Sequence, residues 1–151
     1  MAKRVALGAD HGGFALKEKI KEHLIKRRHK VRDEGTFDGE SCDYPLYGFA
    51  AAAKVSRRKA DRAIVICKSG IGMSIVANKL KGVRAGLCHN TDDAVSARKH
   101  NDTNVLVLAA EDISGPDAID IVDAWMRTRA LKGRHARRVR QIKDIEKKVF
   151  K

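Results

Sequence analysis

The segment CKSGIG, Cys67 to Gly72, sets a thiol beside a glycine-rich turn at the end of an apolar run. Gly70 and Gly72 let the backbone turn tightly and expose N–H groups, and the apolar residues that follow read as a helix. A helix N-terminus stabilises an anion beside it, whether phosphate, oxyanion or thiolate. Ser69, Gly70, Ile71 and Gly72 are therefore candidate anion binders, and Cys67 is a candidate base. The competing reading of Cys67 is a small buried hydrophobe. A dinucleotide fingerprint would place a third glycine where Ile75 stands, and no P-loop motif occurs.

Three further groups carry chemistry. Asp10 and His11 leave a short apolar run together, followed by Gly12 and Gly13. His100 and Asn101 lie just before another apolar run, and an imidazole that titrates near pH 6.5 both donates and accepts protons. Arg134 and Arg138 stand four apart, on one helical face, where two guanidinium forks can clamp one phosphate. A surface turn, a helix cap and a solvated basic face are the corresponding structural readings. Asp10, His11, Asp43, His89 and His100 could ligate a metal, but none has a zinc-site spacing, so neither metal nor other cofactor is expected.

The elements that must position these residues alternate in period. Strands are expected at 4–8, around Val31, at 63–67, at 83–88 and at 104–109. Between them, Leu16, Ile20 and Leu24 form one helical stripe, Pro45 opens a second helix, and Thr91 is placed to cap another. Pro116 opens a helix through Trp125, and Val139, Ile142, Ile145 and Val149 line a terminal one. This alternation predicts an α/β fold with a mostly parallel five-stranded sheet. Ligands in such sheets sit beyond the carboxyl ends of the strands, which draws attention to ADHGG, CKSGIG, CHNTD and AAED, with KHNDTN just before strand five.

The chain has 151 residues, 43% hydrophobic and 34% charged, a one-domain length with 133–151 as a basic C-terminal helical extension. No run approaches the roughly 20 apolar residues of a membrane span, and Gly8, Asp10 and His11 interrupt any signal-like segment. Three widely spaced cysteines without a CxxC pair fit a reducing, cytoplasmic compartment. The net charge is +13, but residues 127–151 hold eleven of the 32 Lys and Arg residues against only Asp144 and Glu146. A nucleic-acid module built on this tail is the non-enzymatic alternative; scarce aromatics and the lack of a zinc finger or RNP-like segment argue against it.

GADHGG, DYP at 43–45, CKSGIGMSIVANK, VRAGLC, RKHNDTNVLVLA and GRHARR, in this order, make the chain resemble the ribose-5-phosphate isomerase type B (RpiB/LacAB) sugar-phosphate isomerases along nearly its whole length. The resemblance implies a Rossmann-like three-layer sandwich and metal-free interconversion of ribose 5-phosphate and ribulose 5-phosphate, an activity of the pentose phosphate pathway. It implies that Cys67 moves a proton between C1 and C2, that His100 and Asp10 open the furanose ring, and that Ser69 to Gly72 stabilise the enediolate. By the same resemblance Asn101 would hold a substrate oxygen, Tyr44 would wall the pocket, and His11, Arg134 and Arg138 would bind phosphate, the arginines coming from the partner of a homodimer or tetramer. Two positions depart from the family pattern: Lys68 stands where many members have glycine, and Glu111 where many have arginine. The alternative substrate is a six-carbon phosphate of allose or galactose.

Overall fold

A computed structural model describes residues 1–150. Five strands, β1 (Arg4–Ala9), β2 (Lys30–Asp33), β3 (Arg62–Cys67), β4 (Ala85–Leu87) and β5 (Val105–Ala109), form one sheet in the order β2-β1-β3-β5-β4. Every pairing is parallel, with Ala63 opposite Val105 and Cys67 opposite Ala109 at the centre. Six helices alternate with the strands or follow them: α1 (Phe14–Lys26), α2 (Tyr44–Ser56), α3 (Ile71–Ala77), α4 (Thr91–Asn101), α5 (Gly115–Arg127) and α6 (Arg134–Val149). The sheet and its two helical faces make the expected three-layer α/β sandwich. No helix among the described residues is long and apolar enough to cross a membrane.

Strand alternation divides the core by size. Leu7, Ile64, Ile66, Leu106 and Leu108 point to one face, where Leu16, Ile20 and Leu24 of α1 meet Ile121 and Trp125 of α5. Ala6, Ala63, Val65, Cys67, Val105 and Val107 point to the other, beneath Ala51 and Ala52 of α2 and Met73 and Ala77 of α3. Small side chains on this second face let α2 lie close to the sheet. Gly8 is the contact point, because a Cβ there would collide with the carbonyl oxygen of Tyr47.

Several boundaries differ from the sequence expectation. The strand expected at 83–88 narrows to Ala85–Leu87 at the sheet edge. Asn90, not Thr91, caps α4: its side-chain oxygen accepts the Asp93 N–H at 2.7 Å. Of the stripe expected to line the terminal helix, only Val139 is buried, against α4, while Ile142, Ile145 and Val149 are exposed.

One buried ion pair fixes the loop after β2. The Lys17 side chain is fully buried in α1, and its ammonium meets both carboxylate oxygens of Asp33 at 2.7 Å; Lys21 adds a contact at 2.9 Å. Burial works to raise the Asp33 carboxyl, but the two lysines and the Gly35 N–H hold it below the usual carboxylate range. A depressed carboxylate stabilises the fold above its unfolded pKa and loses that contribution as pH falls through the folded value. Lys17→Met strands the Asp33 carboxylate with Lys21 alone, and urea denaturation is expected to show a loss of about 3 kcal/mol at neutral pH. That loss shrinks toward acid, where Asp33 is protonated in either protein.

Candidate active site

The carboxyl ends of β1 and β3 gather one set of the expected residues. Directly after β1 comes Asp10, whose N–H donates to the Ile66 carbonyl at 3.3 Å. Asp10 is buried, and its Oδ1 accepts the Gly13 N–H at 3.1 Å, closing the turn into α1. His11 follows, and its Nδ1 accepts the Cys42 N–H at 3.2 Å. That bond leaves Nε2 to carry the proton of the neutral ring and to donate it outward.

Cys67 ends β3 on the α2/α3 face and is 5% exposed. Its carbonyl accepts the Ala110 N–H at 2.9 Å, and the next carbonyl, of Lys68, accepts Glu111 N–H at 3.1 Å, so the base position is locked to the end of β5. The chain then reverses through Gly70 at φ 77°, a left-handed conformation in which any Cβ would also strike Leu87. Ser69 Oγ accepts the Ile71 N–H at 3.3 Å, whereas the N–H groups of Ser69, Gly70 and Gly72 meet no protein acceptor among the described residues. These free donors lie directly after the thiol. Tyr44, the first residue of α2, lays its ring against Gly72, where a Cβ would overlap it. Gly72 is thus a packing glycine that brings the aromatic wall onto the turn.

The other cysteines lack this setting. Burial, with Asp93 adding to it, pushes the Cys88 thiol up to about 12, so Cys88 remains a protonated core residue. Cys42 is half-buried and contributes its backbone N–H to His11. Among the described residues, no three His, Cys, Asp or Glu side chains converge as a metal cage.

The remaining expected residues gather at the opposite edge of the sheet. In parallel topology, α4 starts beyond the end of β4 and returns to the start of β5, so His100 and Asn101 lie where the strands begin. Arg84, just before β4, confirms the placement by donating Nε to the Asn101 carbonyl at 3.2 Å. The length of β5, roughly 15 Å at about 3.3 Å per residue, separates this edge from Cys67. KHNDTN, just before strand five, therefore lies at the edge where strands begin: one protomer does not bring His100 or Asn101 to its own Cys67. Arg134 and Arg138 join His100 instead, because α6 packs on α4 and His135 stacks on the His100 ring with centroids 4.3 Å apart and planes 13° from parallel.

Sequence reasoning did not single out His135. Its spacing from Val139, the buried residue one turn on, was the available signal. Desolvation lowers its pKa, and neighbouring His100, Arg134 and Arg138 lower it further. The folded pKa then lies below the unfolded value of about 6.5, so folding disfavours protonation. Stability from this group is complete above pH 6.5 and is lost as pH falls from there through the depressed value. Melting temperatures measured from pH 8 to pH 5 should decline less for His135→Phe, which keeps a stacked ring without the titration, than for the unaltered protein.

Residues 5–142 match the family model described as Ribose/Galactose Isomerase. Ribose-5-phosphate isomerase B of Escherichia coli is 42% identical over 146 residues, 97% of this chain and 98% of that one. A putative sugar phosphate isomerase of Bacillus subtilis is 44% identical over 96% of this chain and 98% of its own. Among solved structures, ribose-5-phosphate isomerase B of Clostridium thermocellum superimposes with a TM-score of 0.93 at 46% identity, covering 96% of this chain and 98% of that one. The Mycoplasma genitalium enzyme with bound ribulose-5-phosphate superimposes with a TM-score of 0.94 at 36% identity, over 97% of each chain.

Proposed function

The chain belongs to the ribose/galactose isomerase family, and from that premise we propose that it interconverts D-ribose 5-phosphate and D-ribulose 5-phosphate. The observation that carries this reading is the near-complete superposition on a relative that holds ribulose-5-phosphate. The chemistry of the chain fits it. In the aldose-to-ketose direction Cys67 takes the proton from C2, electrons move to the C1 carbonyl oxygen, and the free N–H groups of the Ser69 to Gly72 turn, those of Ser69, Gly70 and Gly72, meet the charge that develops there. The thiol returns its proton to C1, and the O2 hydroxyl proton passes to O1, giving the ketose. The same atom removes and restores the proton, so no bond forms between sulfur and carbon.

The site is completed by a second copy of the chain. Cys67, Asp10, His11 and Tyr44 of one protomer face His100, Asn101, Arg134 and Arg138 of the partner subunit. His100 and Asp10 open the furanose ring, Asn101 holds a substrate oxygen, and the arginines with His11 bind the phosphate. Two features support a dimer. A groove of about 630 Å³ runs beside edge strand β4, lined by Asn101, Leu87, Ile142, Ile145 and Val149. Ile71 and Ile75 of α3, 60% and 56% exposed, extend the apolar surface beside the thiol. Assembly to a dimer or a tetramer and a cytoplasmic location, where all three thiols stay reduced, belong to this reading.

Cys67→Ala and His100→Ala are each expected to lower kcat at least about a thousandfold while keeping the fold. Co-refolding the two inactive variants as equal mixtures should restore about a quarter of the activity, since half of the dimers then carry one intact composite site. No recovery would overturn the shared site. Ribose 5-phosphate should exceed allose and galactose 6-phosphates in kcat/KM; the reverse order would reassign the enzyme to six-carbon substrates.

A further inference from the structure

The carboxyl-end edge of the sheet is acidic. Residues 10–13, 34–43, 68–70, 88–90 and 110–112 leave the five strands and contain seven carboxylates: Asp10, Glu34, Asp38, Glu40, Asp43, Glu111 and Asp112. Lys68 is the only Lys or Arg among them. A sugar phosphate that reaches Cys67 brings a dianion to this edge, and these loops offer it one permanent cation.

Lys68 is built to meet that dianion. It follows Cys67 at the end of a strand, so its side chain leaves on the opposite side, away from α2 and α3. A Cβ on Gly12 would lie 3.5 Å from the Lys68 Cβ, which places the stem of Lys68 over the turn that also carries His11. A pentose 5-phosphate carries its phosphate beyond C3, C4 and C5, so the dianion lies a side chain's length from the carbons that Cys67 serves. The ammonium is 79% exposed, and its acidic contact is Glu111, 43% exposed, at 3.9 Å. An exposed pair at this separation holds weakly, and a phosphate dianion displaces it. Glu111 itself springs from the same lip, through the backbone bond between its N–H and the Lys68 carbonyl.

On the isomerase reading above, we propose that Lys68 binds the substrate phosphate, and that Glu111 parks its ammonium in the unliganded protein and yields it on binding. Lys68 thereby adds to the preference of this site for phosphorylated sugars. The pair has a defined consequence: Glu111 competes with substrate for one cation, so removing each partner changes phosphate affinity in opposite directions.

The experiment uses inorganic phosphate as the probe on the full chain. Lys68→Met should weaken inhibition by phosphate about tenfold and raise KM for ribose 5-phosphate alike, with kcat within about twofold. Lys68→Arg should restore both, and Glu111→Gln should tighten phosphate inhibition a few-fold, an effect that fades with added salt. Unchanged phosphate inhibition in Lys68→Met would overturn the proposal, as would a loss confined to kcat, which would move Lys68 from phosphate to the proton transfer. Phosphate binding is also measured by calorimetry. If the unaltered chain does not turn over ribose 5-phosphate, the isomerase reading falls, while the calorimetric comparison of Lys68→Met still decides the role of Lys68.

Discussion

All five strands point the same way, and this constraint orders everything else in the molecule. A parallel strand can be reached again only by a crossover, so every loop that leaves a strand lies at one edge and every loop that enters one lies at the other. The Cys67 turn leaves a strand. His100 and Asn101, at the end of α4, enter one. No local rearrangement brings them together within a protomer without undoing the β4–α4–β5 unit. On the proposed reading these are two half-sites on opposite edges, and a catalytic unit that uses both requires a second copy.

The unequal faces of the sheet serve the first half-site. Alanine, valine and glycine on the α2/α3 side let α2 approach until Tyr47 touches Gly8, and the same closeness lets Tyr44 rest on Gly72. Large aliphatic residues on the other face hold α1 and α5 farther out, and those helices supply bulk to the core. Lys17 and Asp33 then fix the end of β2 and the Gly35 N–H, at the start of the loop that returns through Cys42 to His11. A buried ion pair is costly to form and costly to break, so its value here lies in holding one loop geometry.

The centre of the sheet, β1, β3 and β5, was legible because its signals are local: continuous apolar runs separated by helices. The Cys67 turn was legible for the same reason, since Gly70 announces its left-handed backbone. What the sequence hid was of two kinds. Lys17 reads as one more cation on a charged helix, and only the return of β2 makes it a buried partner of Asp33. His100 stands just before strand five in the chain, and its distance from Cys67 follows from the parallel topology, in which an entering loop belongs to the far edge, and from no local signal. The terminal stripe of Ile142, Ile145 and Val149 has the period of a buried face but finds only part of its cover within the protomer, because periodicity reports that a face is apolar and not which chain covers it.

Charge follows the same division as chemistry. The edge where strands end carries seven carboxylates and Lys68, whereas α6, packed on α4 at the other edge, begins with Arg134, Arg137, Arg138 and Arg140. In the proposed dimer, each acidic edge faces the basic edge of its partner, so the tail that dominates the net charge of +13 is a partner surface as well as a phosphate clamp. Two-fold symmetry makes the match reciprocal: each copy gives arginines to one site and receives them at the other. A substrate phosphate entering between these edges is held by cations from both chains. Lys68 is the local one, and its carboxylate neighbour keeps the empty site from presenting an unpaired ammonium beside the thiol.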